Sequence, residues 1–226
     1  METIAGVMEA RAKLARLGAL LFDRRLTDAC GGNMSVRVGD LVCLTPSLSG
    51  SKHQWQLEPE EVLVVDFEGN ILEGEGTLSR EINVHFKLHR EFGGVGNAVI
   101  HAHPRNLMVF AAMAVSMPPV LEATLKFGEV KCLEYAPAHS QILADTIAEA
   151  LRGQEDRIAK QAAGVIASWH GLFLMGKDLD AAFDAVERFD TNAYCILMAQ
   201  QALGGEGLLS RQREALAASR RRFQAS

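Results

Sequence analysis

The run Ala98-Val99-Ile100-His101-Ala102-His103-Pro104 constrains the fold of this chain more than any other stretch. β-Branched residues in a short run between Gly96 and Pro104 predict a strand, and alternate residues of a strand point to one face. His101 and His103 therefore present two imidazoles to one point. That arrangement suits a divalent ion with nitrogen ligands, zinc first, because zinc accepts imidazole and carboxylate together. Pro104 stops the strand directly after the second histidine, which puts the pair at a strand end, where ligand sites of α/β sheets are built. Two ligands are too few for a site, and a His-x-His also arises by chance in a chain with seven histidines.

Around this strand the chain alternates helical and extended patterns. Residues 4 to 21 place Ile4, Val7, Met8, Leu14, Leu17 and Leu21 at helical spacing, an amphipathic opening helix. A loop follows, ending in Gly31-Gly32-Asn33, where missing Cβ atoms let backbone amides approach an anion, although a lone Gly-Gly is usually a turn. Met34 to Val38 and Leu41 to Thr45 flank Gly39-Asp40 and predict a hairpin. Thr45 to Lys52 is rich in hydroxyls and reads either as a polar phosphate cradle or as an ordinary surface loop. Val62 to Phe67 predicts a strand and Gly74 to Thr77 a continuing loop.

Ser79 is the expected N-cap of a helix over roughly 80 to 92, with Ile82, Phe86, His89 and Phe92 as its stripe. Glu81 falls in its first turn, where a carboxylate either complements the helix dipole or faces a metal. Glu81, His85 and His89 recur every four residues and form a weaker candidate metal set, lacking the His-Glu-x-x-His pattern. Further on, Leu107 to Val115, Ile142 to Leu151 capped by Ser140, and Leu179 to Leu203 predict helices. Val130 to Tyr135 and Ala163 to Trp169 predict strands, the second delivering His170-Gly171. Strands and helices mix without regular βαβ alternation, so an antiparallel or mixed sheet with helices on its faces is expected.

With 226 residues, 48% of them apolar, the chain is long enough for one full core, and a single domain over 1–226 with a tail from about 205 is expected. A net charge of −5, with no basic cluster beyond Arg220-Arg221-Arg222, argues against a nucleic-acid surface. No apolar run reaches the length of a membrane span, and the opening is helical rather than signal-like, so a soluble, cytoplasmic protein is expected. Cys30, Cys43, Cys132 and Cys195 are widely spaced, which predicts reduced thiols with structural roles.

The ordered set Gly32-Asn33-Met34-Ser35, Thr45-Pro46-Ser47, Ser79-Arg80-Glu81, His101-Ala102-His103 and Trp169-His170-Gly171 resembles the class II aldolase and adducin-like family, from about residue 10 to about residue 200. The resemblance implies a three-layer class II aldolase-like α/β fold with a central, largely antiparallel or mixed sheet flanked by helices. It also implies His101, His103 and His170 as ligands of Zn2+, or of another divalent metal, and Glu81 as the acid-base residue, available as a further ligand at rest. Asn33, Ser47 and Ser79 would hydrogen-bond a substrate phosphate beside Arg80, with Gly32 allowing close backbone approach. The implied enzyme is a zinc-dependent aldolase acting on a small phosphorylated hydroxy-ketone, assembled as a homotetramer. Zinc holding the carbonyl and hydroxyl oxygens of such a sugar would stabilise the enediolate left when the carbon–carbon bond breaks.

Three departures separate the chain from the fuculose-phosphate members of the family. Arg80 stands where they have a second serine, the stretch from Leu48 to Lys52 looks longer, and the region around Glu122 lacks the tyrosine they lend to a neighbouring subunit. The same fold also supports a decarboxylase, a dehydratase or an epimerase of a sugar or sugar-acid phosphate, although Glu81 counts against the epimerase, whose motif carries aspartate. A non-catalytic adducin-like assembly module would lack the metal ligands. A Schiff-base aldolase would need a buried lysine, with Lys126 and Lys131 as candidates.

Overall fold

The computed structural model describes residues 2–203 together with Ser210 and Glu214, so apart from those two residues the tail expected from about 205 lies outside the described residues. Its frame is an eight-stranded sheet in the order β4-β3-β2-β1-β5-β8-β7-β6. The strands are β1 (Asn33–Val38), β2 (Leu41–Leu44), β3 (Leu63–Val65), β4 (Ile71–Glu73), β5 (Ala98–Ala102), β6 (Cys132–Leu133), β7 (Ala162–Ala167) and β8 (Gly171–Gly176). Neighbours pair antiparallel except β6 and β7, which run parallel, so the sheet is mixed and largely antiparallel as expected. The histidine strand β5 lies at its centre, with Asn33 opposite His101 on one side and Phe173 opposite His101 on the other.

Alternation along the strands divides the side chains between two helical layers. Met34, Val36, Ala98, Ile100, Leu172 and Leu174 point to the layer that holds α1 (Glu2–Asp23), α4 (Leu107–Met113) and α8 (Leu179–Leu203). Val99, Ala163, Val165, Phe173 and Met175 point the other way, to α3 (Ile82–Phe92), α6 (Gln141–Leu151) and the neighbouring α7 (Glu155–Lys160). Each large apolar side chain buried in these layers contributes about 1.5–3 kcal/mol. Both faces are therefore covered, as three layers require. The same alternation turns Asn33, Ser35 and His101 toward α3, the face on which the polar groups collect.

Several boundaries differ from the sequence expectation for local reasons. β7 stops at Ala167 rather than Trp169, because the turn that carries His170 begins at Ser168 and holds Trp169 in a left-handed conformation (φ 58°). Val130 leaves the expected strand to bridge Met117, which leaves β6 only two residues long. The edge strand β4 exposes all three residues and so carries no burial alternation to read. Two short helices go beyond the sequence expectation: α2 (Ser49–His53), in the hydroxyl-rich stretch that reads as a cradle or surface loop, and α5 (Glu122–Leu125), in a stretch with no expected element. Ser79 does not cap the first turn of α3, which starts at Ile82; its hydroxyl accepts instead from the Glu81 backbone N–H at 3.2 Å. Ser140 does cap α6, accepting from Leu143 N at 3.1 Å.

Candidate active site

Three separate backbone devices bring the histidines together. His101 and His103 project from the end of β5, and His170 sits in the turn between the antiparallel β7 and β8, which pair Ala167 with Gly171. One ligand atom from each imidazole lies within 4.8 Å of the others. Gly171 makes this convergence possible: a Cβ there would stand 2.7 Å from His103 Cδ2, 2.8 Å from Ala102 O and 3.1 Å from His101 Cε1. The ring of His101 stacks on Phe173 at 4.0 Å and 10°, which holds its plane.

The hydrogen bonds leave the right nitrogens free. His101 Nδ1 donates to Leu172 O at 2.9 Å, so Nε2 carries the lone pair. His103 Nδ1 donates to Asp28 at 3.2 and 3.3 Å, and its Nε2 is buried without a hydrogen-bond partner among the described residues. His170 Nδ1 is likewise unpartnered, and it is His170 Nε2 that faces the cluster, 3.2 Å from Glu81 Oε1. A carbonyl or carboxylate behind a ligating imidazole is the usual way a metal-binding tautomer is fixed. Asp28 is itself held in place, accepting from the N–H groups of Cys30 and Gly31.

Glu81 faces this cluster and has left its helical role, making no capping hydrogen bond. Its carboxylate is 4% exposed and stands 3.2 Å from His170 Nε2, 3.4 Å from His139 Nδ1 and 3.5 Å from His101 Nε2. Neither of its oxygens has a hydrogen bond among the described residues. Burial disfavours the charged carboxylate, but the imidazoles of His101, His170 and His85 outweigh it and hold the group down to about 2. Burial pushes His101 down to about 3, against the opposing pull of Glu81. The pair therefore stands at neutral pH as an ionised carboxylate beside a neutral imidazole, the forms in which both bind metal. Three imidazoles and a buried, unsatisfied carboxylate fit a divalent cation.

The cluster opens into a cavity of roughly 260 Å³ that Gly32, Asn33, Ser47, Ser79 and Arg80 also line. All five residues singled out for phosphate therefore reach one space with Glu81 and the three histidines. Gly32 serves the interior more than a ligand: at φ 93°, a Cβ there would meet the Thr27 hydroxyl at 2.4 Å. Gly31 is the glycine packed against the site, its missing Cβ making room for His103 Cε1. Lys52 is exposed and does not line the cavity, so the hydroxyl-rich stretch contributes Ser47, Ser49 and Ser51 without its cation.

Other expectations are corrected. His85 and His89 do not form a metal set with Glu81, because both hydrogen-bond Ser35. Burial takes them down to about 4 and about 3, and they stand neutral. Lys126 and Lys131 are exposed, which removes both Schiff-base candidates. The cysteines are free thiols, with Cys43 buried and pushed up to about 11. Two site residues escaped the sequence reading, Asp28 and His139. His139 takes a left-handed φ of 66° just before the Ser140 cap, and no periodicity marks it.

Residues 12–197 match the model of the family described as Class II Aldolase and Adducin N-terminal domain. An L-fuculose phosphate aldolase of Methanococcus maripaludis is 31% identical over 169 residues, 74% of this chain and 85% of that protein. A 5-deoxy-D-ribulose 1-phosphate aldolase of Bacillus thuringiensis is 27% identical over 187 residues, 81% of this chain and 82% of that protein. A solved L-fuculose 1-phosphate aldolase superposes with a TM-score of 0.74 at 27% identity, covering 86% of this chain and 88% of the other.

Proposed function

Because the chain belongs to the class II aldolase and adducin family and is a class II aldolase, a lyase, we propose that it is a zinc-dependent aldehyde-lyase cleaving or forming a carbon–carbon bond in a small phosphorylated hydroxy-ketone. The observation that carries this reading is the convergence of one ring nitrogen each from His101, His103 and His170 with the Glu81 carboxylate on one cavity. Zinc is favoured over other divalent ions by three imidazoles with a carboxylate at hand.

His101, His103 and His170 would hold the ion, which when bound supplies Lewis-acid polarisation of the carbonyl and hydroxyl oxygens of the substrate. Glu81, ionised and buried, accepts the proton at the reacting carbon and returns it. Asn33, Ser47 and Ser79 bind the phosphate by hydrogen bonds, and the exposed Arg80 adds a guanidinium at the rim. The relatives named for fuculose phosphate and deoxyribulose phosphate support a ketose 1-phosphate as the substrate class. A homotetramer in the cytoplasm goes with this reading. No helix among the described residues is long and apolar enough to cross a membrane.

Two measurements test the proposal. Metal content per chain is expected to be near-stoichiometric zinc in the wild type and to fall away in His170→Ala. A panel of phosphorylated ketoses is expected to yield two carbonyl fragments. Loss of carbon dioxide from a sugar-acid phosphate with no ketose cleaved would assign the site to a decarboxylase instead.

A further inference from the structure

Behind Asn33 and Ser79 lies a chain of buried polar side chains that the proposed reaction leaves unused. Ser35 of β1 and His85 and His89 of α3 are fully buried. Ser35 Oγ stands 2.6 Å from His85 Nδ1 and 2.7 Å from His89 Nε2. His85 Nε2 stands 2.5 Å from Asn33 Oδ1, and Asn33 Nδ2 donates to Ser79 Oγ at 3.0 Å. A neutral imidazole donates at one nitrogen and accepts at the other, and a hydroxyl has one proton to give. The direction chosen at one end of such a chain therefore runs to the other.

The far end chooses it. His89 Nδ1 is buried with no hydrogen-bond partner among the described residues. A buried N–H without an acceptor is rarer and costlier than an unpaired lone pair. The His89 proton therefore sits on Nε2 and is donated to Ser35 Oγ. The Ser35 hydroxyl then donates to His85 Nδ1, and His85 Nε2–H donates to Asn33 Oδ1. This turns the Asn33 amide so that its NH2 faces Ser79. Ser79 Oγ already accepts from Asn33 Nδ2 and from Glu81 N, so its own proton is left for the cavity it lines. Run in reverse, the same chain would flip the Asn33 amide, and its oxygen would consume the Ser79 proton.

We propose that Ser35, His85 and His89 are positioning residues whose directed hydrogen bonds set the Asn33 amide and the Ser79 hydroxyl as donors toward the cavity, which makes that end of the site selective for an acceptor-only anion such as a phosphate monoester. The proposal rests on the reading of Asn33 and Ser79 as phosphate contacts. It adds the groups that decide their polarity. The relay carries no formal charge, so it sets selectivity through orientation and leaves the net charge of the pocket unchanged.

The test uses the zinc-loaded full chain with 15N-labelled histidine and inorganic phosphate as the probe. Long-range 1H–15N correlations are expected to show His85 and His89 both protonated at Nε2; a proton on His85 Nδ1 overturns the proposal. His85→Leu is expected to weaken phosphate binding by about ten- to a hundredfold, the effect of losing hydrogen bonds to a charged group. His85→Gln offers a side-chain N–H to Asn33 Oδ1 and is expected to restore most of the affinity. Zinc content is expected to stay at the wild-type level in both variants. A folded, zinc-loaded His85→Leu that binds phosphate like the wild type overturns the proposal. If His85→Leu does not fold, Ser35→Ala takes its place: an unchanged His85 tautomer with unchanged phosphate affinity overturns the relay. A wild type that binds no phosphate removes the phosphate reading, and the tautomers still decide the relay.

Discussion

Gly171→Ala adds a single methyl group at the point where the two central strands carry their ligands past one another. Its Cβ would fall 2.8 Å from Ala102 O, 2.7 Å from His103 Cδ2 and 3.1 Å from His101 Cε1. Ala102 O belongs to the backbone of β5, which is paired on both sides and cannot swing away. Overpacking of this kind costs about 1–3 kcal/mol, and the smaller backbone entropy of alanine returns about 0.4–1 kcal/mol of it. A net loss of about 1–2 kcal/mol is expected, roughly a 5- to 30-fold drop in the folded-to-unfolded ratio. The imidazoles that must yield are two of the three candidate ligands, so zinc affinity should fall by about 10- to 100-fold, as it does when the support of a ligand is disturbed. Urea unfolding of the metal-free protein and chelator competition of the zinc-loaded protein measure the two effects. Gly94→Ala is the control, because a Cβ there meets no atom within 4 Å. If Gly171→Ala matched this control in both assays, the argument that close approach at Gly171 shapes the site would be wrong.

Glu81→Gln is expected to keep most of the metal but to lose most turnover, read by metal analysis beside a retro-aldol assay; unchanged turnover would take Glu81 out of the mechanism. Asp28→Ala removes the acceptor behind His103 Nδ1 and should weaken zinc about 10- to 100-fold in chelator competition, with the chain still folded. His139→Ala, 3.4 Å from Glu81 Oε1, should shift the pH profile of kcat while leaving zinc content unchanged. In the metal-free protein, burial lowers His85 to about 4 and His89 to about 3, from 6.5. The unfolded chain then binds more protons below that value, so stability present above about pH 6.5 should drain away as pH falls toward 4, by about 1.4 kcal/mol per pH unit for each histidine. Chemical denaturation at a series of pH values checks the slope, and His85→Leu should reduce it.

The linear chain was a good guide wherever the deciding interaction was local. The alternation that aims His101 and His103 at one face, the Ser140 cap and the long helix to Leu203 all follow from neighbours along the chain. The five motifs implied Glu81 and His170 as partners of the strand histidines, and the structure brings all of them to one cavity with Asn33, Ser47, Ser79 and Arg80. Local reading was weaker where two forces competed. Ser79 carries the chemistry of an N-cap, yet its hydroxyl is engaged by Asn33 and the Glu81 N–H, and the helix begins three residues later.

Which partner stands behind each motif was decided only by the tertiary structure. Asp28 meets His103 across 75 residues and Ser35 meets His89 across 54, and nothing in the spacing of either pair marks the contact. His85 and His89 illustrate the point most directly: their four-residue spacing from Glu81 suggests a shared metal, but β1 inserts Ser35 between them. Side-chain type and periodicity are properties of a segment and can be read along it. Hydrogen-bond direction, burial and the free nitrogen of an imidazole depend on which distant segment packs against it, and those were set when the central strands paired and α3 closed over them.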